Sequence, residues 1–187
     1  MIASPNYVTA LYDGDGSAFN LTGPPGSAEA EHFFEDYFSS KGLPTKPTDF
    51  DGRSDYGPFL DIGIPAGGVF TGAEEVKTEE EAAIFGGEAG VAYDVNYHQA
   101  GDNYTNLNFE AFVTNTKAIA ASVAFYGTSF ESLPLRNETS VEGAKVKRAE
   151  GMRARELHHP HGRRDGLLQP KHLHHMHDCA GAPKEAK

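Results

Sequence analysis

Residues 63–72 read Gly-Ile-Pro-Ala-Gly-Gly-Val-Phe-Thr-Gly, and this stretch decides how the rest of the chain folds. Val69 and Phe70 lie at the centre of a predicted strand, and glycines lie on both sides of them. A glycine within a strand often marks the close approach of another chain segment or of a ligand. The stretch therefore predicts a strand that a second segment or a bound molecule approaches closely.

Upstream of this stretch, the pattern predicts one strand and two helices. Residues 7–12 are apolar and bounded by turn residues, so they predict a buried strand. Ser27 is the expected cap of a helix that runs to about Lys41 and ends at Gly42. Ser54 is expected to cap a second, short helix. The expected apolar face of the first helix consists of Phe33, Phe34, Tyr37 and Phe38.

Downstream, residues 78–85 predict a short acidic helix that Gly86 and Gly87 end. Asn108 can cap a long final helix that runs to about Tyr126. The expected buried face of this last helix consists of Phe112, Thr116, Ile119, Ala120 and Val123, which recur at helical spacing. Strands that alternate with helices predict an α/β layered domain.

Charge divides the 187 residues into two parts. Residues 1–135 carry 20 Asp and Glu against 5 Lys and Arg, whereas residues 136–187 carry 7 against 11. An acidic domain is a poor nucleic-acid binder, because phosphate contacts need clustered Lys and Arg. No apolar run reaches 18 residues, so no membrane-spanning helix is expected. We therefore expect neither a nucleic-acid partner nor a membrane partner.

Residues 131–187 are expected to form a basic, histidine-rich and disordered tail. Seven of the nine histidines lie between His158 and His177, and large apolar residues are few. Two interpretations remain open for the histidines, which either bind divalent metals weakly or belong to a low-complexity terminus. The single cysteine, Cys179, excludes an intrachain disulfide.

The sequence contains glycosylation sequons but no signal-peptide pattern at its start. Residues 1–6 have neither the basic region nor the apolar stretch of a signal peptide. Three Asn-x-Thr sequons, at Asn20, Asn103 and Asn137, permit glycosylation in a secretory pathway, although so short a pattern also arises by chance.

The stretch with most chemistry is residues 93–102, Tyr-Asp-Val-Asn-Tyr-His-Gln-Ala-Gly-Asp. A neutral imidazole binds zinc well, so His98 is a candidate metal ligand. A zinc site needs three or four ligands, and no second histidine stands at ligand spacing from this one. From the residues alone, His98 is either a ligand or a hydrogen-bonded loop histidine.

Three segments together resemble a known family. They are residues 1–6 (MIASPN), residues 52–74 (GRSDYGPF, continuing to GIPAGGVFTGAE), and residues 85–98 with Phe-Gly-Gly, Tyr-Asp and Tyr-His. In this order they resemble the C-terminal half of di-zinc exopeptidases of the aminopeptidase Y and leucyl aminopeptidase family, the fungal members above all. The resemblance covers about residues 1–130, which are therefore expected to be the C-terminal half of a peptidase domain.

The resemblance implies a fold, a reaction and roles for four residues. The implied fold is part of a three-layer α/β/α domain with a mixed central sheet, whose N-terminal half is missing. Two zinc ions would activate water to attack the first peptide bond of a substrate with a free N-terminus. His98 matches the last zinc ligand, and Tyr97 matches the tyrosine that stabilises the oxyanion. Arg53 lies where the backbone helps to hold the substrate's amine. Phe70 matches a pocket position, although a strand phenylalanine is often simply core.

The sequence also departs from the family pattern at several functional positions. The family's other four zinc ligands and its catalytic glutamate align before Met1, so the fragment is expected to be inactive alone. Met1 then resembles an internal methionine of a secreted or vacuolar parent. Some relatives carry cysteines on either side of the Tyr-His pair, where this chain has Asn96 and Gly101. Two alternatives stay open: a non-catalytic binding module that reuses the fold, and a zinc acyltransferase of the glutaminyl cyclase type.

Overall fold

The computed structural model describes residues 1–134, which form an α/β structure. Its strands and helices are, in chain order, β1 (Ala10–Tyr12), α1 (Ser27–Ser40), β2 (Lys46–Thr48), α2 (Gly57–Asp61), β3 (Val69–Phe70), α3 (Glu79–Phe85) and α4 (Phe109–Tyr126). A single 3-10 turn, Tyr104–Asn106, precedes α4. The histidine-rich tail, Cys179 and the sequon at Asn137 lie outside the described residues. Within residues 1–134, every helix is too short or too polar to cross a membrane.

The sheet is small and mixed, with β1 between β2 and β3. β1 runs parallel to β2, with Ala10 opposite Lys46, and antiparallel to β3, with Ala10 opposite Phe70. The mixed sheet expected from the family resemblance is therefore present. The predicted strands at 7–12 and 63–72 were too long, because regular pairing is limited to three residues of the first and two of the second.

Both faces of the sheet are covered by apolar side chains. Side chains alternate along a strand, so Leu11 and Ala10 point to opposite faces. One cluster comprises Leu11, Val69, Phe34, Phe38 and Ala118, with Ile2, Phe33, Tyr37 and Ile119 packed against it. The other comprises Val8, Ala10 and Tyr93, with Phe70 and Phe85 against it. The predicted apolar face of α1 is confirmed, and α3 contributes to the second cluster.

Of the three predicted helix caps, only Asn108 is correct, and the structure adds a cap at Thr78 that was not predicted. Thr78 forms a full capping box with Glu81, and the Asn108 side chain accepts from the Ala111 N–H at 3.0 Å. Ser27 is not the cap of α1. Gly26 holds that position, and the Ser27 hydroxyl instead accepts from the Ala66 N–H at 3.2 Å. The Ser27 hydroxyl therefore makes a long-range hydrogen bond to Ala66 in place of the expected local capping hydrogen bond.

The start of the short helix α2 was also predicted wrongly. Tyr56, not Ser54, stands at its N-cap, and no side chain caps it. The Ser54 carbonyl accepts from the Gly57 N–H at 3.0 Å, so Ser54 lies in a turn before the helix. The turn shifts the helix start by two residues relative to the prediction.

The buried face of α4 differs from the prediction. Ala111, Asn115 and Ala118 are buried, whereas Phe112 and Val123 are 40% and 67% exposed. The small side chains allow α4 to approach residues 1–6 closely. The Asn115 side chain donates to the Ile2 carbonyl at 3.0 Å, and the Asn108 N–H donates to the Ala3 carbonyl at 2.9 Å. Thr116 and Ala120 are exposed too, and of the predicted face only Ile119 packs against the core.

Candidate active site

A cleft of about 100 Å³ lies beside the sheet, and three of the four predicted site residues line it. They are Arg53, Phe70 and Tyr97, contributed by the loop before α2, by β3 and by the loop after Asp94. The fourth, His98, is exposed immediately beside Tyr97. The structure thus brings together residues that lie up to 44 positions apart in the sequence.

Tyr12 and Phe70 form an aromatic wall of the cleft, and Phe50 and Tyr56 pack against Tyr12. The Tyr12 ring stacks on Phe50 at 5.0 Å between centroids, meets Tyr56 edge-on at 4.8 Å and lies 6.3 Å from Phe70. Phe70 also packs against the cluster around Val8. It is therefore both a core residue and a cleft residue, so the two interpretations of this position are compatible.

Two tyrosine hydroxyls at this wall remain protonated over the physiological range. Burial, together with the charge of Asp51, raises the pKa of Tyr12 to about 12. Burial and the hydrogen bond to Asp51 raise the pKa of Tyr56 as well. The Tyr56 hydroxyl donates to Asp51 Oδ1 at 2.8 Å and accepts from the Gly52 N–H at 2.9 Å, which fixes the loop that carries Arg53.

Arg53 is held by three carboxylates. Its guanidinium lies 2.6 Å from Glu74 Oε1, 3.4 Å from Glu75 Oε1 and 3.8 Å from Asp51 Oδ2. Although burial works to lower the pKa of Arg53, the hydrogen bond and charge of Glu74 raise it. The predicted role of Arg53 rested on its backbone, and the structure adds an ion-pair network that links residues 51–53 to residues 74–75.

Tyr97 and His98 form a stacked pair in a tight turn. Their ring centroids are 3.9 Å apart and nearly parallel at 21°. His98 has a φ of 56°, in the left-handed region that residues with a Cβ rarely adopt. Such a conformation costs on the order of 1 kcal/mol and persists where the surrounding structure imposes it, often at functional sites. Here the turn is fixed by the buried Asp94, whose Oδ1 accepts from the Asn96 N–H at 2.9 Å.

Asn96 and Gly101, at the positions where some relatives have cysteines, are in contact. A Cβ built on Gly101 would lie 2.2 Å from Asn96 Oδ1 and 2.8 Å from Asn96 Cγ. In place of a covalent link, the Asn96 amide donates to Asn106 Oδ1 at 2.6 Å, and the Asn106 amide donates to Asp94 Oδ1 at 2.8 Å. The loop is therefore braced by polar side chains.

Sequence reasoning missed several polar contacts that fix loops of the structure. Lys77 is 1% exposed, and its ammonium donates to the carbonyls of Tyr7 at 2.7 Å and Gly86 at 2.6 Å. The Asn6 amide donates to three carbonyls, of which the closest is Glu88 at 2.9 Å. The carboxylates of Glu74 and Glu75 were missed as well. A lysine within an otherwise acidic stretch was the only signal available for these contacts.

Comparison with known proteins identifies the kind of protein that this fold and cleft represent. The chain belongs to peptidase family M28, whose family model matches residues 3–123.

Individual relatives are fungal proteins. The chain is 61% identical over 150 residues to "Probable leucine aminopeptidase 2" of Aspergillus fumigatus, a match that covers 80% of this chain and 29% of that protein. It is 58% identical over 160 residues to "probable leucine aminopeptidase 2" of Aspergillus oryzae, covering 84% and 32%. It is also 58% identical to "Leucine aminopeptidase 2" of Trichophyton equinum, covering 74% and 28%. The chain thus spans about three tenths of the length of these relatives.

The residues around His98 fit a zinc site only in part. Among residues 1–134, the group of closely spaced side chains that could hold a metal is Asp13, Asp15 and Glu31, and His98 is not a member. A zinc ion needs three or four protein donors, or three and a water molecule. Within the described residues, His98 therefore belongs to no group of three closely spaced donors, and no chemical step through zinc follows from the geometry of the cleft.

Proposed function

We propose that this chain forms part of the catalytic domain of a zinc aminopeptidase that removes N-terminal residues from peptides. The observation that carries the proposal is that Arg53, Phe70 and Tyr97 line one cleft, with His98 beside it. The high identity to proteins named leucine aminopeptidase supports it. Neither a binding module nor a glutaminyl cyclase-type acyltransferase is favoured by these relatives.

Each of the four residues receives a role. His98 would bind one of two zinc ions, and its exposed ring is accessible to an ion at the mouth of the cleft. The Tyr97 hydroxyl would donate to the oxyanion that forms when the peptide carbonyl is attacked. Phe70 and the aromatic wall would contact the side chain of the first substrate residue. Arg53 would hold the loop whose backbone contacts the substrate's amine, and its carboxylate network makes that loop rigid.

The remaining zinc ligands are proposed to come from polypeptide beyond this sequence. Without a group of closely spaced donors, His98 cannot hold two zinc ions, and the relatives are more than three times as long as the matched region. The same additional polypeptide would extend the small mixed sheet into a three-layer α/β/α domain. We therefore expect the 187-residue chain to have no aminopeptidase activity by itself.

The parent protein is proposed to be a secreted or vacuolar glycoprotein. Asn20 and Asn103, which carry two of the three sequons, are both exposed on the surface. An exposed asparagine is accessible to a glycosylating enzyme.

A chimera tests the proposed roles. The segment that precedes the matched region in the Aspergillus fumigatus relative is fused before residue 1, and the purified protein is assayed on leucine p-nitroanilide. We expect activity from the chimera and none from the 187-residue chain, with or without added zinc. His98→Ala should lower the zinc content and abolish activity, because it removes a metal ligand. Tyr97→Phe should keep both zinc ions and lower kcat by about 10²–10³, the usual cost of losing one oxyanion donor.

The matched controls are His32→Ala and Tyr104→Phe, which change an exposed histidine and an exposed tyrosine outside the cleft. Both should behave like the parent chimera in atomic emission and in kinetics. If His98→Ala kept two zinc ions and normal turnover, the ligand assignment would be wrong.

A further inference from the structure

Three carboxylates, on Asp13, Asp15 and Glu31, lie together where the loop after β1 meets helix α1. One oxygen of each lies within 4.8 Å of the others. Asp13 and Glu31 are buried, with exposures of 1% and 5%, whereas Asp15 is exposed. Asp13 and Asp15 come from the loop and Glu31 comes from α1, so the group joins two elements.

One oxygen of this group has no hydrogen-bond donor. Asp13 Oδ2 accepts from the N–H groups of Ala18 at 3.1 Å and Phe19 at 2.8 Å. Asp13 Oδ1 is fully buried and has no donor among the described residues. Because it belongs to a carboxylate of the cluster, the cluster contains a desolvated and unsatisfied acceptor. Such a buried acceptor costs free energy unless a ligand satisfies it.

Positive charge near the three carboxylates is scarce. Within residues 1–134, the ion pair recorded for the group joins the exposed His32 to Asp15 at 3.9 Å. No lysine or arginine of that region forms a salt bridge with Asp13, Asp15 or Glu31. Like charges at such separations repel strongly when they are buried. A bound cation would relieve the repulsion that remains beyond what the backbone N–H donors offset.

We propose that Asp13, Asp15 and Glu31 form a calcium-binding site that ties the loop after β1 to helix α1. The donors are all oxygens, which hard cations such as Ca²⁺ prefer, whereas zinc prefers nitrogen and sulfur. Ca²⁺ takes six to eight oxygens in flexible geometry, so water and carbonyl oxygens would complete its shell. This site is separate from the histidine at the cleft and does not depend on the proposed peptidase reaction.

The order of residues in the loop supports the assignment. Asp13, Asp15 and Ser17 stand at alternate positions with Gly14 and Gly16 between them. Acidic and hydroxyl side chains at the first, third and fifth positions of a glycine-containing loop also begin the calcium loop of an EF-hand. The loop here departs from that motif afterwards, and its third carboxylate comes from a helix.

The loop is already fixed in the arrangement that a cation requires. Glu31 Oε2 accepts from the N–H groups of Gly14 at 2.7 Å and Asp15 at 3.1 Å. A Cβ on Gly14 would lie 2.1 Å from the Ser27 carbonyl oxygen, so only glycine allows the loop to lie against the start of α1. Each of the three carboxylates accepts from at least one backbone N–H, so the group needs little rearrangement to bind an ion.

Calcium titration of the chelator-treated, full 187-residue chain tests the site. Ca²⁺ avoids the tail's histidines, because imidazole is a poor ligand for it. We expect one ion to bind per chain in calorimetry, with a Kd on the order of 10⁻⁴ M, and to raise the Tm. Asp15→Asn and Glu31→Gln should each weaken binding by about tenfold or more, since each removes one charge from the ligand set.

Glu35→Gln is the matched control. It makes the same change one turn along α1, at an exposed side chain, and should leave the Kd unchanged. Asp15 is exposed, so Asp15→Asn decides the question even if Glu31→Gln does not fold. The proposal is overturned if wild-type protein shows no saturable binding by about 10 mM Ca²⁺. It is also overturned if Asp15→Asn binds like wild type, or if Glu35→Gln weakens binding as much as Glu31→Gln does.

Discussion

At the scale of single residues, Glu81 connects three parts of the molecule. Its carboxylate forms an ion pair with Lys46 of β2, accepts from the Tyr93 hydroxyl at 2.7 Å and accepts from the Thr78 N–H at 2.9 Å. The same side chain thus closes the capping box of α3 and joins that helix to the sheet and to the start of the Tyr97 loop. Although burial alone would raise it, the hydrogen bonds from Lys46 and Tyr93 lower the pKa of Glu81 below its usual 4.5.

This lowered pKa predicts an acid-sensitive contribution to stability. A carboxylate with a folded-state pKa below its unfolded value stabilises the protein fully above the unfolded pKa, here about 4.5, and loses that contribution as the pH falls through the folded pKa. We expect Glu81→Gln to lower the free energy of unfolding by about 1 kcal/mol at pH 7, with a smaller difference below pH 4. Urea unfolding at both pH values measures this.

The control for this variant is Glu79→Gln, which removes an exposed glutamate from the same first turn of α3. Glu79→Gln should change the free energy of unfolding little at either pH. An equal loss in both variants would assign the effect to the charge of the helix end rather than to the ion pair.

At the scale of elements, the sequence located the helices, but contacts between distant segments overrode some of its local signals. Thr78 and Asn108 cap their helices because each bonds to a backbone N–H three residues away. Ser27 looked equally suitable, but its hydroxyl is used by Ala66, 39 residues away, a contact that no local pattern encodes. The predicted α4 face failed for a similar reason. Close packing against residues 1–6 favours small side chains over the larger apolar ones.

The loop that carries Tyr97 offers a test of its own geometry. In the double variant Asn96→Cys/Gly101→Cys, the two side chains should form a disulfide, because the Gly101 Cβ position lies 2.8 Å from Asn96 Cγ, where a cysteine sulfur would stand. Closing this short loop should raise the free energy of unfolding by about 2 kcal/mol over the reduced form. Urea unfolding with and without reductant measures the difference.

Cys179 is changed to serine in this variant so that it cannot mispair. The reduced double variant is the control, because it lacks the Asn96 hydrogen bonds equally. Failure of the two thiols to pair under oxidising conditions would show that the loop does not hold these positions together.

At the scale of the whole molecule, an apolar surface runs along α4. Its largest exposed members are Phe109, Phe112, Val113 and Val123, which lie on one face of the helix. Contiguous apolar surface of this kind promotes association in water. We expect the chain to bind anilinonaphthalene sulfonate and to self-associate at micromolar concentrations. The double variant Phe112→Glu/Val123→Lys should reduce both, as measured by dye fluorescence and light scattering.

Thr116→Lys is the control, because it adds a charge at an exposed, non-apolar position of the same helix. It should reduce association less than the double variant. A clean monomer of wild-type protein without dye binding would contradict the expectation.

The sequence predicted the class of fold and supplied four candidate site residues, but it did not show how the cleft is assembled. Arg53, Phe70 and Tyr97 were identified from a resemblance to a family, and the structure places all three on one cleft. The carboxylates of Glu74 and Glu75, which pair with Arg53, were not identified. An ion pair between residues more than 20 positions apart produces no periodic pattern in the sequence. Local patterns in the sequence predicted where the helices lie. The contacts between distant segments could not be predicted from them.

The burial of Lys77 has a consequence for chemical reactivity. Amines react with acylating reagents only when they are accessible and deprotonated. Burial lowers the pKa of Lys77, which favours the reactive amine, but it also encloses the group against two carbonyls, so access limits the reaction. Lys41, by contrast, is exposed at the end of α1. In a timed acetylation read by mass spectrometry, Lys41 should be modified at once. Lys77 should be modified only as fast as the chain near Gly86 opens, so its labelling rate reports how often that part of the fold comes apart.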